Sequence, residues 1–155
     1  MIRVDNIMTV QIRPYEAGDL SAILTLWEAA SRLAHPFLSD AFIAEERQNT
    51  EQIYLPYAET WVATADRKPL GFIALLANES GNTEVGGLFV DPAQHGKGAG
   101  QALMNHAKSV HGTLEVDVFK DNAIGRRFYH RYGFSPIAES TFERTGDAVI
   151  RMKCE

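Results

Sequence analysis

Residues 88–100 read LFVDPAQHGKGAG, an apolar run followed by a glycine-rich turn at the point where a helix is expected to begin. Glycine adopts positive φ at no steric cost, so successive backbone N–H groups in such a turn can converge on one anion. A helix beginning near Gly98 would add the unpaired N–H groups of its first turn and the positive end of its dipole. Lys97, inside the turn, can add a charge-assisted contact. The segment therefore predicts a phosphate site between a strand and a helix.

Two common phosphate-binding patterns do not account for these glycines. A P-loop requires Gly-Lys followed by Ser or Thr, whereas Lys97 is followed by Gly98, so no hydroxyl is available for Mg²⁺. A dinucleotide-binding G-x-G-x-x-G that starts at Gly96 would place Gln101 where Gly or Ala is needed. This second pattern fits poorly, although two acids lie about where a ribose-binding acid is expected, Glu115 and Asp117.

A third pattern, Q/R-x-x-G-x-G/A after a strand, is interpreted as Gln94, Gly96, Gly98 and Ala99. This interpretation makes the segment resemble the pyrophosphate loop of the GNAT superfamily, the acetyl-CoA-dependent N-acetyltransferases. Glycine patterns of this length also occur in ordinary turns, so the assignment needs a second segment.

Residues 122–134 provide it, because they read NAIGRRFYHRYGF and resemble the second signature of the same superfamily, N-x-x-A-x-x-F-Y-x-[KR]-x-G-F. One position departs, since Gly125 stands where Ala is usual. A glycine inside a helix costs roughly 0.5–1 kcal/mol relative to Ala, so we expect a softer helix with an unchanged role. A weaker resemblance to small bacterial members covers nearly the whole chain, including His35-Pro36-Phe37-Leu38.

The order of apolar runs predicts the same class of fold. Alternating and helical patterns give hairpins followed by strand, loop, helix, strand, helix and a last hairpin, which is typical of a mixed α/β sheet covered by helices. The resemblance implies more: a three-layer fold with a mostly antiparallel mixed sheet of about seven strands, splayed between strands 4 and 5, and four helices. The expected elements are strands at 9–13, 60–65, 70–77, 84–90, 114–119 and a hairpin within 137–152, with helices from a cap at Asp19, over 40–54 and closed by Pro56, over 99–110 and over 123–132.

The resemblance also assigns the cosubstrate, acetyl-CoA, to particular residues. Tyr129 is the candidate general acid, because a phenol stays protonated at neutral pH and can give its proton to a departing thiolate. The implied acetyl-CoA contacts are Leu88, Phe89, Val90, Gln94, His95, Gly96, Lys97, Gly98, Ala99, Gly100, Asn122 and Tyr129.

The general base stays open between two residues and water. Glu84 lies on the strand that enters the glycine loop, where many relatives have a carboxylate. His35 lies in the break between the first two helices, where the family builds its acceptor site, and an imidazole has a suitable ordinary pKa. No metal is expected, because His106 and His111 have no further ligand at metal-binding spacing.

Composition indicates the number of domains, the kinds of partner and the cellular location. The 155 residues predict a single N-acetyltransferase domain, residues 1–155, with 1–8 as a loose extension. A net charge of −5 argues against nucleic acid as a partner. A lone cysteine, Cys154, and the lack of a long apolar run predict a cytoplasmic protein without membrane association, either monomer or homodimer.

Two functions remain open at this point. One is an enzyme that acetylates a primary amine, either a small molecule or a lysine or N-terminus of a protein. The other is a noncatalytic module that binds acyl-CoA. Tyr129 favours the enzyme, because a module that only binds has no need of a proton donor.

Overall fold

The protein forms a mixed sheet of seven strands in the order β1-β2-β3-β4-β5-β7-β6, seen here in a computed structural model that describes residues 9–155. All neighbours are antiparallel except β4 and β5, which are parallel. The expected extension at 1–8 lies outside the described residues. The strands are β1 Gln11–Pro14, β2 Glu59–Ala65, β3 Lys68–Ala77, β4 Thr83–Val90, β5 Leu114–Phe119, β6 Ser135–Phe142 and β7 Asp147–Cys154. The predicted fold class is confirmed.

Helices cover both faces of this sheet. They are α1 Leu20–Ala34, α2 Asp40–Asn49, a π-helical turn Thr50–Tyr54 that continues into the short α3 Leu55–Tyr57, α4 Ala99–His111 and α5 Ala123–Tyr132. Residues 40–57 are helical throughout, so the helical units number four within the described chain. In that part of the chain, no helix combines the length and the apolar character needed to cross a membrane.

One predicted cap and one predicted helix end need correction. The first helix, α1, begins directly after Asp19 as predicted, but the Asp19 side chain does not cap it; its carboxylate accepts two bonds of 2.7 Å from Arg13 and one of 2.9 Å from the backbone of Glu16. The second helix continues through Pro56 and ends at Tyr57, three residues beyond the predicted end at residue 54.

Two apolar clusters hold the three layers together. Leu103, Met104 and Ala107 of α4 are fully buried against one face of the sheet. On the opposite face, Ile23 and Trp27 of α1 pack in a second cluster against the central strands. The sheet therefore has no free face in its centre, and openings can arise only where strands separate.

The strands separate between β4 and β5. These two pair only over Thr83–Val85 and Leu114–Val116, and beyond that point β4 continues to Val90 without β5. The separation begins at a bulge: Ala74 pairs with Gly87 and Leu75 with Val85, which leaves Gly86 unpaired. A bulge bends its strand and increases its twist, so it turns the rest of β4 away from β5. The backbone of Leu88–Val90 is thus left with one unpaired edge.

Candidate functional site

A long cleft of about 1100 Å³ opens where β4 and β5 diverge. Its walls are the end of α1, the last residues of β4, the glycine loop, residues along α4 and α5, and Cys154 at the end of β7. Eleven of the twelve residues proposed to bind acetyl-CoA line it: Leu88, Phe89, Val90, Gln94, His95, Gly96, Gly98, Ala99, Gly100, Asn122 and Tyr129. The geometry thus brings together residues from two separate sequence motifs.

The glycine loop has the backbone geometry of an anion site. Gly96 and Gly98 have φ of +80° and +84°, a region that side chains with Cβ rarely adopt. The first bond of α4 runs from the N–H of Ala102 to the carbonyl of Gly98, at 2.9 Å. The preceding N–H groups of the first turn, 99–101, therefore have no partner inside the helix and face the cleft end of the loop.

The glycine pattern needs one correction in register. With Gly98 as the N-cap of α4, the sequence Q/R-x-x-G-x-G/A runs from residue 95 to residue 100. Its first position is therefore His95, where Gln or Arg is usual, and its last is Gly100; Gln94 precedes the pattern. The His95 ring nitrogen Nε2 lies 3.2 Å from the carbonyl of Val90, so this side chain folds back on the strand end.

The charge of the cleft comes from residues that the sequence analysis did not select. Lys97 is not among the residues that line the cleft, and its Nζ donates to Gln94 Oε1 at 2.8 Å. Lys108, Arg127 and Arg131 do line it. The spacing of Arg127 and Arg131, four residues apart on one helix, was the available signal. Three cations beside a loop of free N–H groups fit a ligand with several phosphates.

A second cavity, here called the aromatic chamber, lies on the other side of the strand ends. Its volume is about 500 Å³, and its walls come from α1, residues 38–58, β3, β4, β5 and the β6–β7 hairpin. Nine of its lining residues carry aromatic rings other than imidazole: Trp27, Phe42, Tyr54, Tyr57, Phe72, Phe89, Phe119, Tyr129 and Phe142.

Five residues line both the long cleft and the aromatic chamber: His35, Leu88, Phe89, Asn122 and Tyr129. A group held in the cleft and a group held in the chamber would therefore meet at these side chains. All five were candidates from sequence alone, for either catalysis or cofactor binding.

Tyr129 is the most deeply buried of these five apart from its access to the two cavities. Its side chain is 7% exposed and packs edge-on against Phe134 at 5.3 Å between ring centroids. Burial raises the pKa of the Tyr129 phenol well above its ordinary value. The phenol is therefore protonated at any physiological pH.

His35 is fixed by the residue that caps α5. The Asn122 amide oxygen accepts from the N–H of Gly125 at 2.8 Å, so its nitrogen is the atom that lies 3.2 Å from His35 Nε2. Since that nitrogen can only donate, His35 Nε2 accepts and the ring proton is on Nδ1. Burial lowers the pKa of His35 to about 4, so the ring is neutral at pH 7.

Gly125 has a steric role that the motif comparison did not reveal. A Cβ added there would lie 2.5 Å from Asn122 Nδ2 and 3.0 Å from its Cγ. The missing methyl group therefore leaves room for the Asn122 side chain to cap α5 and to reach His35. This steric contact is a second effect of Gly125, beside the expected softening of the helix.

Glu84 is not brought to either cavity. It lies where β4 and β5 still pair, directly opposite Glu115, and its oxygens accept from Arg151 at 2.6 and 3.2 Å. Arg151 also binds Glu115 at 3.2 Å and Asp117 at 3.0 Å. Of these three acids only Asp117 lines the chamber. The cluster joins β4, β5 and β7 at the closed end of the divergence.

Glu115 is the most constrained acid of that cluster. Hydrogen bonds from Asn82, Ser80 and Asn78 lower its pKa to about 2, and the Arg151 charge adds to the effect. The pattern in which Glu115 and Asp117 share a strand face was visible in sequence, but their partners were not. Within residues 9–155, no group of three or more His, Cys, Asp or Glu is placed to hold a metal ion.

Comparison with known proteins gives a consistent family. The model of the Acetyltransferase (GNAT) domain matches residues 29–155. Peptidyl-lysine N-acetyltransferase YjaB of Escherichia coli is 32% identical over 143 residues, which cover 90% of this chain and 91% of that protein. Peptidyl-lysine N-acetyltransferase YiaC of Escherichia coli is 30% identical over 123 residues, 79% of this chain and 82% of its own.

Solved structures agree with the sequence relatives. The solution structure of apo-form YjaB from Escherichia coli superposes with a TM-score of 0.83 at 26% identity, covering 94% of this chain and 97% of that one. PaiA N-acetyltransferase from Thermoplasma acidophilum, in complex with coenzyme A, has a TM-score of 0.81 at 18% identity, with 96% and 99% covered, and supports the fold alone. The named relatives favour the enzyme over the noncatalytic acyl-CoA-binding module.

Proposed function

Because the chain belongs to the GNAT family and is an acetyl-CoA-dependent N-acetyltransferase, we propose that it transfers the acetyl group directly to a primary amine while both substrates are bound. The observation that carries this proposal is the junction of the two cavities at Tyr129. The long cleft takes acetyl-CoA and the aromatic chamber takes the amine, and Tyr129 is one of the five side chains that line both cavities.

The proposed placement of acetyl-CoA follows from the charges and free backbone groups of the cleft. The pyrophosphate lies on the N–H groups at Gly96–Gly100, beside Arg127 and Arg131. The pantetheine arm extends along the unpaired edge of Leu88–Val90, where backbone amides can pair with it as an added strand. The Asn122 amide closes the other side. Bound acetyl-CoA supplies an acetyl group activated as a thioester.

Tyr129 is the proposed general acid. As the nitrogen–carbon bond forms and the carbon–sulfur bond breaks, the phenol gives its proton to the departing sulfur. The proton lost by the amine nitrogen then returns to the phenol oxygen through water, so the residue is regenerated. A backbone N–H on the free edge of β4 donates to the carbonyl oxygen of the acetyl group while negative charge grows on it.

The remaining question is which group takes the proton from the amine. His35 lies at the junction and Glu84 does not, so position favours His35. Its pKa of about 4 makes it a weak base. An ammonium entering an apolar chamber is itself easier to deprotonate, because burial disfavours its charged form. We therefore propose that water takes the amine proton and that neutral His35 shapes the junction.

A ternary-complex test decides between direct transfer and an acetylated enzyme. The protein is mixed with acetyl-CoA alone and its intact mass is measured, and then a panel of primary amines is added and free thiol is followed. Direct transfer predicts an unmodified protein mass in the first step and thiol release that depends on amine in the second. An acetylated protein that passes its group to amine after removal of CoA contradicts the proposal.

A further inference from the structure

We propose that the amine acceptor is a primary amine carried on an aromatic or similarly broad apolar group, an inference that rests on the proposed function. Two sources share this chemistry: a free arylalkylamine, and a lysine next to a bulky apolar residue in a peptide. A bare linear amine or polyamine is the alternative that the chamber disfavours.

The walls of the chamber are the first reason. Phe119 and Phe142 pack edge to face at 5.6 Å, and Phe142 meets Phe42 at 6.1 Å. A second group of rings in the lining is formed around Phe89, which lies 5.5 Å from Phe72 and 6.1 Å from Trp27. A cavity of about 500 Å³ lined by both groups accommodates a ring, which can gain aromatic contacts there. A single alkyl chain would leave much of this surface uncovered.

The acids of the chamber are the second reason. Its lining includes two carboxylates, and each already has a guanidinium partner: Glu46 with Arg144 at 2.6 Å and Asp117 with Arg151 at 3.0 Å. Glu46 also accepts from the Tyr54 hydroxyl at 3.2 Å. Each carboxylate is therefore partly neutralised, and a second ammonium of a polyamine would gain less from it than from an unpaired carboxylate.

The same acid clusters still favour a cationic ligand at the entrance. Arg144 donates to both Glu45 and Glu46. Its guanidinium also lies over the ring of Phe42, 4.7 Å from the ring centre. Two carboxylates thus share one guanidinium here. Their excess negative charge attracts one ammonium, while the chamber behind it binds apolar surface.

The rim of the chamber is the third reason. Ile53, Tyr54, Tyr57 and Leu76 are large apolar side chains that are 41–82% exposed, and all four line the chamber. Such a group of exposed side chains marks a binding surface. It extends the apolar wall outward, so a group too large for the chamber can still cover these side chains.

The test compares primary amines that carry an aromatic group with primary amines that do not. The initial rate of acetylation is measured for 2-phenylethylamine, n-butylamine and 1,4-diaminobutane, and for the peptides acetyl-Phe-Lys-amide and acetyl-Gly-Lys-amide. We expect kcat/KM at least tenfold higher for the aromatic member of at least one set. A preference within the amines identifies a small-molecule acceptor, and one within the peptides identifies a protein acceptor. Equal or lower values for the aromatic member in both sets overturn the inference.

A matched pair of variants ties the preference to the chamber. Ile53 lines the rim and is 48% exposed, whereas Ile137 on β6 is 53% exposed and lines neither cavity. Ile53→Ala should raise the KM of the preferred aromatic amine at least threefold and that of n-butylamine by a smaller factor, and Ile137→Ala should change neither. Equal effects of the two substitutions contradict the assignment.

Binding separates a failure of this inference from a failure of the proposed function. If no amine is acetylated, the proposed function is wrong. Calorimetric titration of 2-phenylethylamine and n-butylamine into the CoA complex then decides the inference by itself. Tighter binding of the aromatic amine supports it, and equal binding overturns it.

Discussion

Lowering the pH should destabilise the protein through His35 before any carboxylate contributes. Its unfolded imidazole binds a proton near the ordinary pKa of 6.5, but the folded one binds a proton only near 4, because the ring is buried against Phe37 and Phe119. Stability is therefore full above pH 6.5 and is lost as the pH falls through this window. Between pH 6.5 and 4.5 the loss is about 2 kcal/mol, since each unit is worth about 1.4 kcal/mol and the ring is only partly enclosed.

The assay is urea unfolding of the parent and of His35→Gln at half-unit steps from pH 7.5 to 4.5. Gln keeps an acceptor for the Asn122 amide but does not titrate. Glu115 does not interfere, because its lowered pKa of about 2 places its own loss of stability below about pH 4.5. The parent should lose about 2 kcal/mol more than the variant over this range. A constant difference between the two proteins would refute the assignment of a buried neutral ring.

Three further substitutions test the cleft. Gly98→Val should weaken acetyl-CoA binding at least tenfold by calorimetry. The control is Gly146→Val, because Gly146 has a similar positive φ in a distant hairpin turn; this variant should lower the melting temperature and leave the affinity unchanged. Equal affinities of the two variants would rule out the loop as the phosphate site. Gly125→Ala should reduce stability in urea and weaken acetyl-CoA binding, although Ala is the better helix former, and a gain of about 1 kcal/mol would contradict the steric argument. Arg127→Ala should weaken acetyl-CoA binding by about 1 kcal/mol, and the loss should decrease as salt is added. Lys97→Ala should have a smaller effect on affinity. A larger loss in Lys97→Ala than in Arg127→Ala would restore Lys97 as the charged contact.

The central elements were predictable because local patterns and tertiary packing agree there. The bounds of β5, Leu114–Phe119, and α5, Ala123–Tyr132, match the sequence prediction, since each begins and ends at a turn or cap signal. The divergence of β4 and β5 came from the family resemblance alone. Its physical cause is the bulge at Gly86. The sequence signal for this bulge is two consecutive glycines, Gly86 and Gly87, inside a strand.

The parts of the site formed by consecutive residues were predictable from sequence. The parts formed by residues far apart in sequence were not. The cleft residues of the glycine loop are consecutive, so their proximity is guaranteed. Glu84 does not reach the junction because it lies where β4 still pairs with β5, and there it binds Arg151, which is 67 positions away. Neither the aromatic chamber nor the pairing of Glu46 with Arg144 can be read from local spacing, since both depend on how the last hairpin packs against α2.

The measurement that tests the central claim most directly is the turnover of Tyr129→Phe beside its affinity for acetyl-CoA. Tyr132→Phe is the matched control, because it removes the same atom one turn away, where the hydroxyl donates to Asn105 at 2.7 Å. If Tyr129 protonates the departing sulfur, kcat should fall roughly 10- to 100-fold in Tyr129→Phe, while the dissociation constant measured by calorimetry stays within about twofold. Tyr132→Phe should keep most of its turnover. Equal turnover in Tyr129→Phe and the parent would contradict the proposed role of the junction.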